Sequence, residues 1–143
     1  MTLRAEPAKG IAIVTCMDCR LDVLRTLGLE LGDAHVLRNA GGVVTDDVIR
    51  SLAISQRRLG TTQVALIHHT KCGMEGLDEE AFRRELREAG DSEPPFAIGS
   101  FAEAEADVRE SVRRVQGSPF LPHRDRVRGF IYDVDTGRVR EVD

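Results

Sequence analysis

The sequence predicts an α/β protein: a single domain with a mostly parallel central sheet flanked by helices. Three observations predict it. Short β-branched apolar runs alternate with longer amphipathic stretches, the pattern of strands joined by helical crossovers. The 143 residues fit one domain, and no stretch reads as a linker. Three polar or thiol clusters each fall directly after an apolar run, and open parallel sheets bind ligands beyond the carboxyl ends of their strands.

Each element has its own signal. Ile11-Ala-Ile-Val-Thr15 is a short β-branched run that suits a buried strand. Leu21 to about Leu31 has helical composition, interrupted at Gly28. His35-Val-Leu-Arg38 is a second strand, ending at Asn39-Ala-Gly-Gly42. Thr45 or Asp46 caps a helix that runs to Leu59, with Val48, Ile49, Leu52 and Ala53 as its apolar stripe and Gly60 as its stop. Gln63-Val-Ala-Leu-Ile67 is a third strand that leads into His68 and His69. Asp78 opens a charged helix to about Gly90, and the polar, proline-bearing stretch Asp91 to Pro95 is a loop. Ser100 and Glu103 have capping-box spacing for a helix to about Gln116. Val127 to Val134 reads as a last core strand, and Asp135-Thr-Gly137 as a turn into a short C-terminal strand.

Composition narrows the partners. Twenty basic against 24 acidic residues gives a formal charge of −4, where nucleic-acid modules carry a basic excess. Five Phe, one Tyr and no Trp offer no platform for stacking bases. No apolar run approaches the roughly 20 residues of a membrane span. The first ten residues lack the apolar stretch of an export signal. With three cysteines and no such signal, the expected compartment is the reducing cytoplasm, where thiols bind metal or do chemistry more often than they form bridges.

The chemistry concentrates on one rim. Cys16 follows the first strand, Asn39 to Gly42 the second, and His69 with Cys72 the third. His69-x-x-Cys72 lets an imidazole and a thiolate reach one ion from a single turn, and Cys16 can supply a third ligand from the neighbouring strand. Two sulfurs and one nitrogen suit tetrahedral zinc and leave its fourth position for water. Two other arrangements compete. Cys16-Met-Asp-Cys19 is also a dithiol spacing, which leaves His69 and Cys72 without a role. A closed structural site of all three cysteines with His69 would require Cys16 and Cys19 to face one point. Asp18 and Arg20, two apart, can form a bidentate pair. In isolation that is an ordinary surface ion pair; beside a metal, the carboxylate can orient a reacting water without itself binding the ion. His68 should face away from His69 by strand alternation, towards packing or a subunit seam. His35 and His123 read as exposed or capping residues. Gly41 and Gly42 make either a tight turn or a close approach of backbone to substrate.

Taken together, Cys16-x-Asp18-x-Arg20, Arg38-Asn-Ala-Gly-Gly42 and His69-x-x-Cys72-Gly73 resemble the β-class carbonic anhydrases. The resemblance runs from about Ile11 to Met74 and continues weakly into Arg128-Gly-Phe-Ile-Tyr-Asp-Val134. Thr45 to Ser55 looks like the small bacterial branch. It implies one zinc per chain on Cys16, His69 and Cys72, with Asp18 and Arg20 as the catalytic pair. The implied reaction is reversible hydration of carbon dioxide to bicarbonate and a proton. By the same resemblance, Gly73 offers its amide N–H to substrate; Met17 and Val43 are expected to contribute an apolar wall suited to a small linear molecule. Related hydrolases of carbonyl sulfide or carbon disulfide share these motifs, and a non-enzymatic zinc protein is the alternative outside enzymes. The resemblance implies a homodimer or homotetramer, and residues 1–143 as one such domain with a shortened N-terminal arm. Lys71, where many relatives have an acidic or small residue, and Cys19, where alanine or serine is common, depart from the pattern.

Overall fold

The computed structural model describes residues 2–143. Its centre is a five-stranded sheet in the order β2-β1-β3-β4-β5. The strands are β1 (Ile11–Cys16), β2 (Ala34–Asn39), β3 (Gln63–His69), β4 (Val127–Tyr132) and β5 (Val139–Val142). The first four are mutually parallel, and β5 returns antiparallel to β4. Strand alternation sends Ile13, Ala65, Ile67 and Ile131 into one apolar cluster. Ala12, Val14, Val64 and Leu66 enter a second one. The predicted mostly parallel sheet is therefore present, covered on both faces.

The helices are α1 (Val23–Thr26), α2 (Asp46–Leu59), α3 (Glu79–Gly90) and α4 (Ala104–Gln116). Thr45 caps α2 by accepting from the Val48 N–H, and Asp46, Asp47 at its start and Arg57, Arg58 at its end complement the helix dipole. Val48 and Leu52 of its stripe are buried, with Ile49 and Ala53 packed beside them. Asp78 caps α3, which buries no residue and lies on the periphery.

Two local expectations are corrected. The helix expected over 21–31 is a single turn: Asp22 caps it, Leu27 ends it, and Gly28 follows with φ +67°. The Ser100–Glu103 capping box does not form. Glu103 caps α4 with its own carboxylate, accepting from the Glu105 and Ala106 N–H groups. Ser100 instead gives its N–H and hydroxyl to Glu79 Oε1 at the start of α3. A tertiary partner outcompeted the local one.

Between β2 and α2 the chain makes a 3₁₀ turn, Ala40–Gly42, with φ +85° at Gly41 and +65° at Gly42. A Cβ on Gly42 would stand 2.9 Å from the Thr15 carbonyl carbon and 3.0 Å from the Cys16 nitrogen. Gly42 thus packs closely against the end of β1. Backbone cannot yield as a side chain does, and a left-handed L-residue adds about 1–2 kcal/mol. Gly42→Ala is therefore expected to lose about 2–4 kcal/mol, from that strain and the overpacking together. Urea unfolding of the purified variant checks this; a loss below about 0.5 kcal/mol would contradict it.

Candidate metal centre

The parallel sheet delivers the ligands. Cys16 is the last residue of β1 and His69 the last of β3, while Cys72 sits three residues further on. All three are buried, and one ligand atom from each lies within 4.8 Å of the others. The His69 Nδ1–H donates to the Thr70 carbonyl at 2.7 Å, so the ring presents a bare lone pair on Nε2. That Nε2 is fully buried and has no hydrogen-bond partner. A buried acceptor without a partner is costly, and a cation beside two thiols satisfies it. The donor set fits zinc: soft sulfur twice, imidazole once, and a fourth side left open.

The surroundings act on the two thiols in opposite senses. Gly41 N–H donates to Cys16 Sγ at 3.3 Å. Burial pushes the Cys72 thiol up, with the neighbouring Cys16 adding to the rise, while the Met74 and Glu75 backbone N–H groups oppose it. Glu75 anchors this loop to α4 by accepting the Ala104 N–H at 2.6 Å. Phe101 N–H donates to the Met74 carbonyl, and the Gly76 N–H to the Phe101 carbonyl. Neither Glu75 nor Phe101 carried a recognisable sequence signal, because both act through contacts about 30 residues apart.

Asp18 and Arg20 form the expected fork. Arg20 Nε donates to Asp18 Oδ1 at 3.0 Å and Nη2 to Oδ2 at 2.6 Å, and the Arg20 backbone N–H adds a bond to Oδ1 at 2.8 Å. These bonds hold the Asp18 carboxyl well below the usual carboxylate range, the Arg20 side chain contributing most. Asp18 Oδ2 lies 3.6 Å from His69 Nε2, so the carboxylate stands beside the Cys16–His69–Cys72 cluster without being part of it. The side chain of Asp18 is only 14% exposed, unlike an ordinary surface ion pair. Arg20 Nη2 also donates to the Lys71 carbonyl at 2.9 Å, tying the Cys16 loop to the His69–Cys72 loop. Lys71 presents that carbonyl from a left-handed conformation, φ +55°, and its own Nζ pairs with Asp135 at 2.7 Å.

The remaining sequence candidates are placed as follows. Cys19 is exposed and outside the cluster, so neither the dithiol nor the closed three-cysteine site is built. Met17 is 65% exposed beside Cys16, Val43 is half-buried against the apolar cluster of the site side, and Gly73 is exposed. His68 is buried, paired with Asp107 at 2.7 Å and stacked on Phe101. His35 is neither exposed nor capping: it is half-buried and hydrogen-bonded to Ser55 at 2.7 Å, and Ser55 to Thr61 at 2.6 Å.

A parallel sheet that brings a buried Cys₂His donor set together, with an arginine-paired carboxylate 3.6 Å from the His69 Nε2, fits the pattern of a catalytic zinc site. The comparisons say which kind. The family model described as carbonic anhydrase matches residues 11–139. β-Carbonic anhydrase 1 of Mycobacterium tuberculosis is 52% identical over 140 residues, covering 98% of this chain and 86% of that protein. A solved carbonic anhydrase from Streptococcus mutans superposes with TM-score 0.93 at 47% identity, over 100% of this chain and 87% of that one. A carbon disulfide hydrolase of Acidithiobacillus thiooxidans is more distant, 33% identical over 148 residues, with 90% of this chain and 74% of that protein covered. The chain belongs to the β-carbonic anhydrase family. Zinc-dependent hydration of carbon dioxide is the function of that family, and the enzyme class is a lyase.

Proposed function

We propose that this chain interconverts carbon dioxide and bicarbonate at a zinc ion held by Cys16, His69 and Cys72, with Asp18 and Arg20 as its catalytic pair. The observation that carries the reading is the bare, buried Nε2 of His69 between two thiols, with the Asp18 carboxylate 3.6 Å away. When bound, zinc supplies Lewis acidity that makes a water nucleophilic near neutral pH. The chain's residues do the rest. Asp18 stays ionised and accepts a hydrogen bond from the reacting water, orienting the oxygen lone pair towards carbon. Arg20 fills the far side of that carboxylate and keeps it from becoming a fourth ligand. Met17 and Val43 supply the apolar side of the substrate space, and the Gly73 N–H faces the developing carboxylate of bicarbonate. In balance, carbon dioxide and water give bicarbonate and a proton.

Carbon disulfide is the second reading, because a relative at 33% identity is a carbon disulfide hydrolase. The higher identity of the carbonic anhydrase relative favours carbon dioxide. Assembly as a homodimer or homotetramer is supported by β2, an unpaired sheet edge with exposed Val36, and by exposed Leu31 and Ile54. Light scattering at micromolar concentration should give twice or four times the chain mass; a fully active monomer would overturn this part. Three free thiols suit the cytoplasm.

The ligand set is tested with two variants. Cys16→Ser should lose most of its zinc and its hydration activity, while Cys19→Ser keeps about one zinc per chain and activity within about twofold of the parent. Zinc lost on Cys19→Ser and kept on Cys16→Ser would reverse the assignment.

A further inference from the structure

The six residues from Cys16 to Leu21 carry a metal ligand and both members of the catalytic pair, and little of their own backbone holds them. Met17 N–H donates to the Asn39 carbonyl at 2.8 Å, and Leu21 N–H closes a turn onto the Asp18 carbonyl at 3.2 Å. Three carbonyls of this loop instead converge on one side chain. Arg38 Nε donates to Cys16 O at 2.8 Å, Nη2 to Asp18 O at 2.7 Å and Nη1 to Leu21 O at 3.3 Å. Each guanidinium nitrogen thus takes a different carbonyl, and all of these partners are backbone oxygens.

The geometry points to Arg38 as the positioning residue of the Asp18–Arg20 pair. A guanidinium is planar and rigid, so one group fixes three carbonyl positions relative to one another. Its positive charge also holds together three C=O dipoles that would otherwise repel. Arg38 is itself well anchored, on β2 directly opposite Thr15 of β1. Through the Asp18 carbonyl it sets the backbone from which the carboxylate reaches its place 3.6 Å from His69 Nε2. Arg38 has no bond to the metal ligands' side chains or to Asp18's carboxylate, so it acts only through the loop. The inference rests on the roles proposed for Asp18 and Arg20.

Arg38→Lys separates positioning from charge. Lysine keeps the charge and the stem, but a single ammonium cannot span three carbonyls in a plane. Misplacement of a reacting group by about 1 Å costs about a hundredfold. The Lys variant should therefore fold, hold about one zinc per chain, keep KM within about twofold and lose kcat about 10- to 100-fold. Amide exchange at Arg20 and Leu21 should speed up at least about tenfold, with Val14 and Leu66 in the sheet unchanged. Arg38→Met, with no charge, should show the same pattern and serves if the Lys variant is poorly expressed. A kcat within twofold of the parent, a loss that tracks lost zinc, or a kcat loss without faster exchange at Arg20 and Leu21 would overturn the inference. Asp18→Asn measured alongside keeps the two claims apart. If it is inactive while Arg38→Lys is fully active, only Arg38's role falls; if it is active, the catalytic pair itself falls.

Discussion

Asp18→Asn should retain about one zinc per chain and lose about a hundredfold to a thousandfold in hydration rate, the scale seen when one preorganised polar group is removed from a reacting centre. The carboxylate now takes two side-chain bonds from Arg20 and one from the Arg20 backbone. An asparagine of the same shape turns an NH₂ towards one of those donors, so the fork opens, and the charge that orients the reacting water is gone. Arg20→Ala reaches inactivity by another route. It frees a carboxylate only 3.6 Å from His69 Nε2 to close the open side, and it removes the donor to the Lys71 carbonyl. The pH behaviour follows from sign. The native pKa of Asp18 is depressed, so its contribution to stability is present above the ordinary carboxylate range and is lost as acid protonates it, below that range. Asp18 therefore stays ionised throughout the working range. With the proposed ligands, two thiolates would neutralise the charge of zinc, so acidification of water would be milder than at a three-histidine site. Hydration should rise from pH 7 towards pH 9 without an inflection from Asp18. Stopped-flow hydration of parent and variant across that range measures both effects. An Asn variant within a few-fold of the parent reduces the pair to an ordinary salt bridge.

Zinc removal should have the second largest effect. Held by the proposed ligands, zinc would tie the ends of β1 and β3 to the Cys72 loop and would give a partner to the buried His69 Nε2, which otherwise has none. At free zinc a thousandfold above its Kd, linkage stabilises the fold by about 4 kcal/mol. For a chain of this size, at roughly 2–4 °C per kcal/mol, chelation should lower Tm by about 10 °C. Burial raises the Cys72 thiol, so its proton competes with zinc over a wider pH range and zinc affinity should increase as pH rises above neutrality. Calorimetry before and after dialysis against a chelator, with metal analysis of the same samples, decides it. A Tm unmoved by complete zinc loss would mean that the ion contributes nothing to the fold.

The sheet was readable from its apolar runs because the central strands β1 and β3 are buried almost throughout, and burial leaves a dense apolar signature, while β4 alternates buried and exposed positions. The Cys16–His69–Cys72 cluster was readable for a related reason: parallel strands end on one rim, so chemistry-bearing residues after each run meet there. Asp18 and Arg20 were readable as a pair from their two-residue spacing. What escaped depends on distant partners. Ser100 is occupied by Glu79, 21 residues away, so its local capping signal misled. Glu75 has no motif, and its use is set by where α4 begins. Arg38 stood inside a quoted motif, but its task is visible only once three carbonyls of another loop are seen to converge on it. The helix expected over 21–31 failed because Gly28 takes a left-handed conformation just past Leu27.

The most direct measurement combines metal content and turnover on one preparation of the full chain, assayed with carbon dioxide and with carbon disulfide. The account predicts about one zinc per chain and carbon dioxide hydration at a kcat/KM of about 10⁴ M⁻¹ s⁻¹ or more, the lower bound for ordinary enzymes, with carbon disulfide turned over far more slowly. A preparation with full zinc that hydrates carbon dioxide no faster than buffer would contradict it.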